Sequence, residues 1–172
     1  MSGGHSATMW VYIPLIWSER FIGLTGGSSQ SRLPYAMTGV CVLSNWVIAL
    51  QNHFACTETD CGIKPGDANW GFKKWTNELD LDHLKQWSYE AAHDVALIGK
   101  KITEFMYESQ IKFRYLAGTS AGGRTTLGEM QRYPEDYNWY IVNCRVLFGH
   151  FIYWIKVGLY SLWIMKITLF PN

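Results

Sequence analysis

Gly118-Thr119-Ser120-Ala121-Gly122 fits the pattern G-x-S-x-G. In that pattern the serine hydroxyl is a nucleophile carried on a sharp turn between a strand and a helix. A side chain at either flanking glycine would clash with the neighbouring strand or helix, so Gly118, Gly122 and the following Gly123 read as the elbow itself. The helix starting at Ala121 would aim its free N–H groups at a developing oxyanion. From average Gly and Ser usage, a chance match in a chain of this length arises about one time in twenty. The competing reading is a glycine-rich βα turn without catalysis, such as a phosphate cradle. It lacks both a Walker Lys-Ser/Thr pair and G-x-G-x-x-G spacing.

Other residues invite chemistry less clearly. Of four cysteines, Cys41, Cys56, Cys61 and Cys144, three lie in one stretch with His53. A zinc site from His53, Cys56 and Cys61 fits no common ligand spacing and ranks below local disulfides or free thiols. Ser120, Asp136 and His150 follow the order of a hydrolase triad, but triads are defined by geometry rather than order. Asp136 reads instead as a cap or a solvated carboxylate. His93 reads as a hydrogen-bonded structural histidine. His5, His53 and His83 have no supporting context.

The elements needed to position Ser120 are legible around it. Lys112 to Ala117 is a strand candidate, a helix is expected from Ala121 to Arg132 with Pro134 marking its end, and Tyr137 to Val142 is the next strand. Upstream, Leu84, Trp87, Ala91, Val95, Ile98, Ile102 and Phe105 recur at steps of three and four. They predict one apolar face of a helix from Asp82 to Tyr107, with Lys100 and other charges elsewhere. Asp80 and Asp82 suit its N-terminus. Trp10 to Pro14, Arg20 to Leu24 and Phe54 to Thr57 read as strands, 34–51 as a helix, and Cys61 to Glu78 as loop. Such βαβ alternation implies a mostly parallel sheet flanked by helices.

With 48% hydrophobic residues in 172, a sizeable core is feasible. A net charge of +1 without basic runs argues against nucleic acid as partner. Nine Trp and ten Tyr read as core before they read as a ring-stacking surface. Met1 to Met9 lacks the pattern of a secretory signal. From Phe148 to Phe170 the chain is almost wholly apolar. Lys156 and Lys166 would be costly at mid-bilayer, so a membrane span ranks below a buried or poorly folded segment.

Beyond the elbow, the run from Tyr115 to Arg124 and the motif Gln131-Arg-Tyr-Pro-Glu-Asp-Tyr137 resemble the nucleophile region of tannases and feruloyl esterases. His93, Gly99-Lys100 and Phe105-Met106-Tyr107 match that family's preceding helix. Ile13-Pro14-Leu15, Trp17, Arg20-Phe21 and Gly26-Gly27 resemble its early strand and glycine-rich turn. Thr59-Asp60-Cys61-Gly62 resembles its S-T-D-x-G-H segment, with Ile63 where the His would stand. The resemblance covers residues 10–143 in co-linear order and leaves 144–172 as an apolar tail of no recognised type.

The resemblance implies the N-terminal part of an α/β-hydrolase core that cleaves esters of aromatic acids. Ser120 would be the nucleophile, the N–H of Ala121 one oxyanion donor, and Gly26 or Gly27 the second. Two departures stand out. Thr119 occupies the place of the cysteine that, in the family, is bonded to a cysteine beside the catalytic His. The family's lid, which often binds Ca2+, and its catalytic Asp and His would match positions beyond the 172 − 120 = 52 residues that follow the serine. No cofactor or metal is therefore expected in these residues, and the chain alone is expected to be inactive. The family is mostly secreted. The alternatives are a non-catalytic α/β binding protein and a membrane-tethered fragment.

Overall fold

The computed structural model describes residues 7–25, 46–63, 69–119, 121–143, 151–156 and 163–168. The Gly26-Gly27 turn, Ser120, and all of the expected 34–51 helix before residue 46 lie outside the described residues. In chain order the elements are β1 (Met9–Tyr12), β2 (Arg20–Thr25), α1 (Trp46–Gln51), β3 (Phe54–Thr59), α2 (Leu81–Lys85), a π-helical turn (Gln86–Glu90), α3 (Ala91–Tyr107), β4 (Phe113–Thr119), α4 (Ala121–Arg132), β5 (Trp139–Asn143), β6 (Phe151–Lys156) and β7 (Trp163–Thr168).

The strands form one sheet in the order β1-β3-β2-β4-β5-β6-β7. Its centre, β3-β2-β4-β5, is parallel, as the βαβ alternation predicts. The flanks are antiparallel: β1 on β3, β6 on β5, and β7 on β6. The expected α/β architecture is thus a mixed sheet. The apolar tail contributes β6 and β7, whose β-branched and aromatic composition suits strands. Among the described residues no helix is long and apolar enough to cross a membrane.

Side chains alternate between two covered faces. Phe21, Ala55, Leu116 and Tyr140 meet Ala96 of α3, with Leu127 and Met130 of α4 packed alongside. Their strand neighbours Cys56, Ala117 and Ile141, with Leu24, face the other way, toward Ala49 of α1. A parallel sheet needs cover on both faces, and these helices supply it.

The helical run from Leu81 to Tyr107 is continuous in outline but passes through the π-helical turn. Asp80 caps its start, accepting from the His83 N–H at 3.1 Å. Its buried face differs from the one the large apolar residues predict. Ala91, Ala92, Val95, Ala96, Gly99 and Thr103 are buried, whereas Ile98 is 49% and Phe105 81% exposed. The reason is proximity: α3 lies so close to the sheet that only small residues fit between. A Cβ on Gly99 would stand 2.5 Å from Cγ2 of Thr57 and 3.0 Å from the Phe21 ring. At its far end α3 is anchored by Tyr107, which stacks on Trp17 and donates its hydroxyl proton to the Pro14 carbonyl.

This close approach makes a testable demand. Gly99→Ala should destabilise the fold by roughly 1–3 kcal/mol through overpacking, despite the better helix propensity of alanine. Ile98→Ala should cost far less. Chemical denaturation of the two variants would check the order.

Candidate functional site

Strand β4 ends at Thr119 and helix α4 begins at Ala121, so Ser120 is the single residue between them. That is the strand-to-helix setting the G-x-S-x-G spacing demands. Strand β4 occupies the sheet centre, paired with β2 and β5, and its last four residues, Leu116 to Thr119, are buried. Gly118 stands in register with Thr25, the last residue of β2, and with Val142 of β5. The last residue of β2 therefore lies beside the end of β4. Gly26, Gly27 and Ser120 themselves lie outside the described residues, and Ala121 is placed at the first position of α4.

The elbow is closed by contacts that the motif alone does not reveal. The Thr25 hydroxyl lies 3.2 Å from the Ala117 carbonyl, 3.0 Å from the Gly122 carbonyl and 3.0 Å from the Thr126 hydroxyl. Thr126 in turn donates to the Gly122 carbonyl at 2.9 Å. Any Cβ on Gly118 would collide with the Thr25 hydroxyl, the Gly122 carbonyl and the Thr126 hydroxyl together. Gly122 and Gly123 are buried in the first turn of α4. Next to them, Arg124 lays its guanidinium 3.7 Å from the centre of the Trp87 ring, and Arg132, at the end of α4, lies 4.0 Å over Tyr89. Both rings belong to the π-helical turn, which thereby holds α4 along its length.

A second cluster of ionisable groups joins α3, α4 and the connection to β5. His93 Nδ1 lies 2.5 Å from Asp136 Oδ2, and Lys100 Nζ donates to Asp136 Oδ1 at 3.1 Å and to its carbonyl at 3.0 Å. Asp136 is therefore neither a helix cap nor solvated: it is buried, 6% exposed, and held on both oxygens. Lys100, placed by periodicity off the apolar face of the helix, is drawn in to Asp136, with 14% of its side chain exposed. His93 takes the structural role expected of it and also stacks on Tyr133 at 3.8 Å. Burial opposes ionisation of Asp136, but the bonds from His93 and Lys100 outweigh it and hold the carboxyl below its ordinary range.

Glu129 completes this cluster and was not singled out by any sequence signal. It is fully buried, and among the described residues neither carboxylate oxygen has a donor. Burial, reinforced by hydrogen bonding to Asp136 and by its charge, pushes the carboxyl up to about 9. As a neutral acid Glu129 can give its proton to Asp136, which removes the cost of a buried unpaired charge. His93, Glu129 and Asp136 bring one nitrogen or oxygen each within 4.8 Å of one another, a donor set of the kind that can take a cation. Both oxygens of Asp136 are already engaged, however, and the Lys100 ammonium supplies positive charge there. A shared proton fits this geometry better than a metal ion.

The remaining sequence candidates are dispersed. Cys56 and Cys61 are buried in different core clusters, so among the described residues neither a disulfide between them nor a zinc site with His53 is formed. His53 is exposed in the turn before β3, at the sheet edge opposite the elbow. Cys41, Cys144, His5 and His150 lie outside the described residues. Ile63, in place of a histidine in the motif comparison, is fully buried beside Ala91 and Trp70.

Two variants separate the roles within the cluster. Between the ordinary carboxyl value of 4.5 and about 9, folded Glu129 keeps a proton that the unfolded chain releases. Its contribution to stability therefore falls as pH rises through that window, by up to about 1.4 kcal/mol per unit. Glu129→Gln, which cannot ionise, should remove this dependence, and its stability relative to wild type should rise from pH 5 to pH 9 in denaturant titrations. Asp136→Asn leaves Lys100 without its buried partner and should cost about 3–5 kcal/mol at pH 7.

Comparison with known proteins bears on the whole arrangement. The family described as "Tannase and feruloyl esterase" matches residues 6–168. A probable feruloyl esterase of Arthroderma benhamiae is 29% identical over 134 residues, covering 76% of this chain and 23% of the relative. Feruloyl esterase B of Aspergillus niger is 31% identical over 72 residues, covering 41% of the chain and 14% of the relative. The crystal structure of feruloyl esterase B from Aspergillus oryzae superposes with a TM-score of 0.68 at 22% identity, covering 83% of this chain and 25% of that one. Tannin acyl hydrolase from Aspergillus niger gives a TM-score of 0.67 at 22% identity over 81% of this chain and 25% of that one. These two structures share the α/β-hydrolase fold with the chain, which spans about a quarter of the length of each.

Proposed function

The chain belongs to the tannase and feruloyl esterase family, and we propose that it carries the nucleophile of a carboxylic-ester hydrolase, with esters of aromatic acids as substrates. The observation that carries this reading is the position of Ser120, alone between a central parallel strand and the helix that follows it. Ser120 Oγ attacks the ester carbonyl, the alcohol leaves, and water releases the acid from the acyl-serine. The Ala121 N–H and an N–H of Gly26 or Gly27 hold the oxyanion at each tetrahedral stage. The aromatic-acid preference follows from the names of the relatives, feruloyl esterases and a tannin acyl hydrolase.

A serine hydroxyl needs a base to be an effective nucleophile at neutral pH. The described histidines are committed elsewhere. His93 is bound to Asp136, and Glu129 of the same cluster sits eight residues along α4 from Ala121, about 12 Å at the helical rise. His83 is buried with Nε2 at 3.2 Å from the Cys61 carbonyl, and His53 is at the opposite sheet edge. On this reading the 172 residues supply the serine and the oxyanion donors, while base and orienting acid come from elsewhere in a complete hydrolase. Oxyanion stabilisation without a triad still accelerates reaction by about 10³–10⁴ over water.

Two assays on the 172-residue chain test this. An aryl phosphonate should modify Ser120 slowly and leave Ser120→Ala untouched. Turnover of methyl ferulate or methyl gallate should stay close to that of Ser120→Ala. Modification only at other residues would remove Ser120 as nucleophile, and fast Ser120-dependent turnover would show that a base is present in this chain.

A further inference from the structure

The hydroxyl of Thr25 sits at the junction of two segments that the proposed mechanism needs at a fixed separation. Strand β2 ends at Thr25 and leads directly to Gly26 and Gly27, and helix α4 begins with Ala121. Resting on the nucleophile reading above, we propose that Thr25 is a positioning residue whose hydroxyl, with that of Thr126, fixes the end of β2 against the end of β4 and the first turn of α4.

The geometry is specific. Thr25 Oγ1 contacts the Ala117 carbonyl at 3.2 Å and the Gly122 carbonyl at 3.0 Å, one on each side of Ser120. Thr126, buried in the second turn of α4, is 3.0 Å from Thr25 and 2.9 Å from the Gly122 carbonyl. Two hydroxyl protons thus serve four oxygens: two carbonyls that bracket the elbow and the two hydroxyls themselves. The pair occupies the volume that a side chain at Gly118 would take. The missing Cβ therefore does more than allow a tight turn: it admits a hydroxyl from the neighbouring strand into the turn. That hydroxyl ties the end of β2 to β4 and α4 at one point. Losing it would remove the contacts that join the end of β2 to the Ala117 and Gly122 carbonyls and free that end to shift relative to the first turn of α4. A shift of about 1 Å at such a site costs about a hundredfold in rate.

The test uses the full 172-residue chain with Thr25→Val, which keeps the shape and removes the hydroxyl, and Thr25→Ser, which restores it. Phosphonate modification of Ser120 is followed well below the melting temperature, so that all variants are folded, alongside amide hydrogen exchange resolved by segment. The expected result is a 10–100-fold slower modification in Thr25→Val and near wild-type rates in Thr25→Ser. Exchange should be at least tenfold faster across residues 118–126, with α3 unchanged. Thr126→Val should shift both readouts in the same direction and replaces Thr25→Val if that variant does not fold. Wild-type modification and exchange in both valine variants would overturn the proposal, as would failure of Thr25→Ser to restore them. If wild type itself is not modified, the nucleophile reading fails, and the exchange data decide separately whether the hydroxyls hold the turn.

Discussion

Three segments converge where β4 gives way to α4: the last residues of β4, the first turn of α4, and the end of β2. They meet in a space that a single methyl group at Gly118 would overfill. The chain must turn there from a buried central strand into a helix within one residue. The Thr25 and Thr126 hydroxyls add contacts there to the Ala117 and Gly122 carbonyls. The absence of a side chain and the presence of two hydroxyls are thus one arrangement, and the direction of α4 depends on it.

From that starting direction, α4 carries Glu129 into the buried interior. There the balance of charge becomes the governing term. Asp136 is ionised because His93 and Lys100 supply its bonds. Glu129, next to it and fully buried, has no such donors and keeps its proton. Two carboxyls in one dry site cannot both ionise without a large desolvation cost, so their proton affinities are driven apart. The result ties α3, α4 and the approach to β5 through polar contacts. Helix α4 is also joined to the π-helical turn through the stacking of Arg124 and Arg132 on Trp87 and Tyr89.

The helix from Leu81 to Tyr107 shows how far pattern reading reaches. Its extent follows from periodicity, but its buried face does not. Large apolar residues at helical spacing normally mark the core side. Here Gly99 and the alanines let the helix approach Phe21 and Thr57 closely, and that contact excludes Ile98 and Phe105. Lys100 and Asp136 escaped for a related reason. Each looks like a solvated charge in isolation, and their pairing spans 36 residues of sequence.

What the amino-acid sequence determines alone is local: the strand before Ser120, the helix after it, the glycines at the elbow, and the co-linear motifs of the tannase and feruloyl esterase family. These are legible because backbone preference, capping and glycine's freedom act within a few residues. The tertiary structure decides which face of α3 is buried, that Thr25 reaches the elbow across 97 residues of chain to Gly122, and that Glu129 is buried in the cluster of His93 and Asp136. It also places the strands Phe151–Lys156 and Trp163–Thr168 in the sheet. Those outcomes depend on how closely distant segments approach and on how much water remains between them, and neither quantity is written in local spacing.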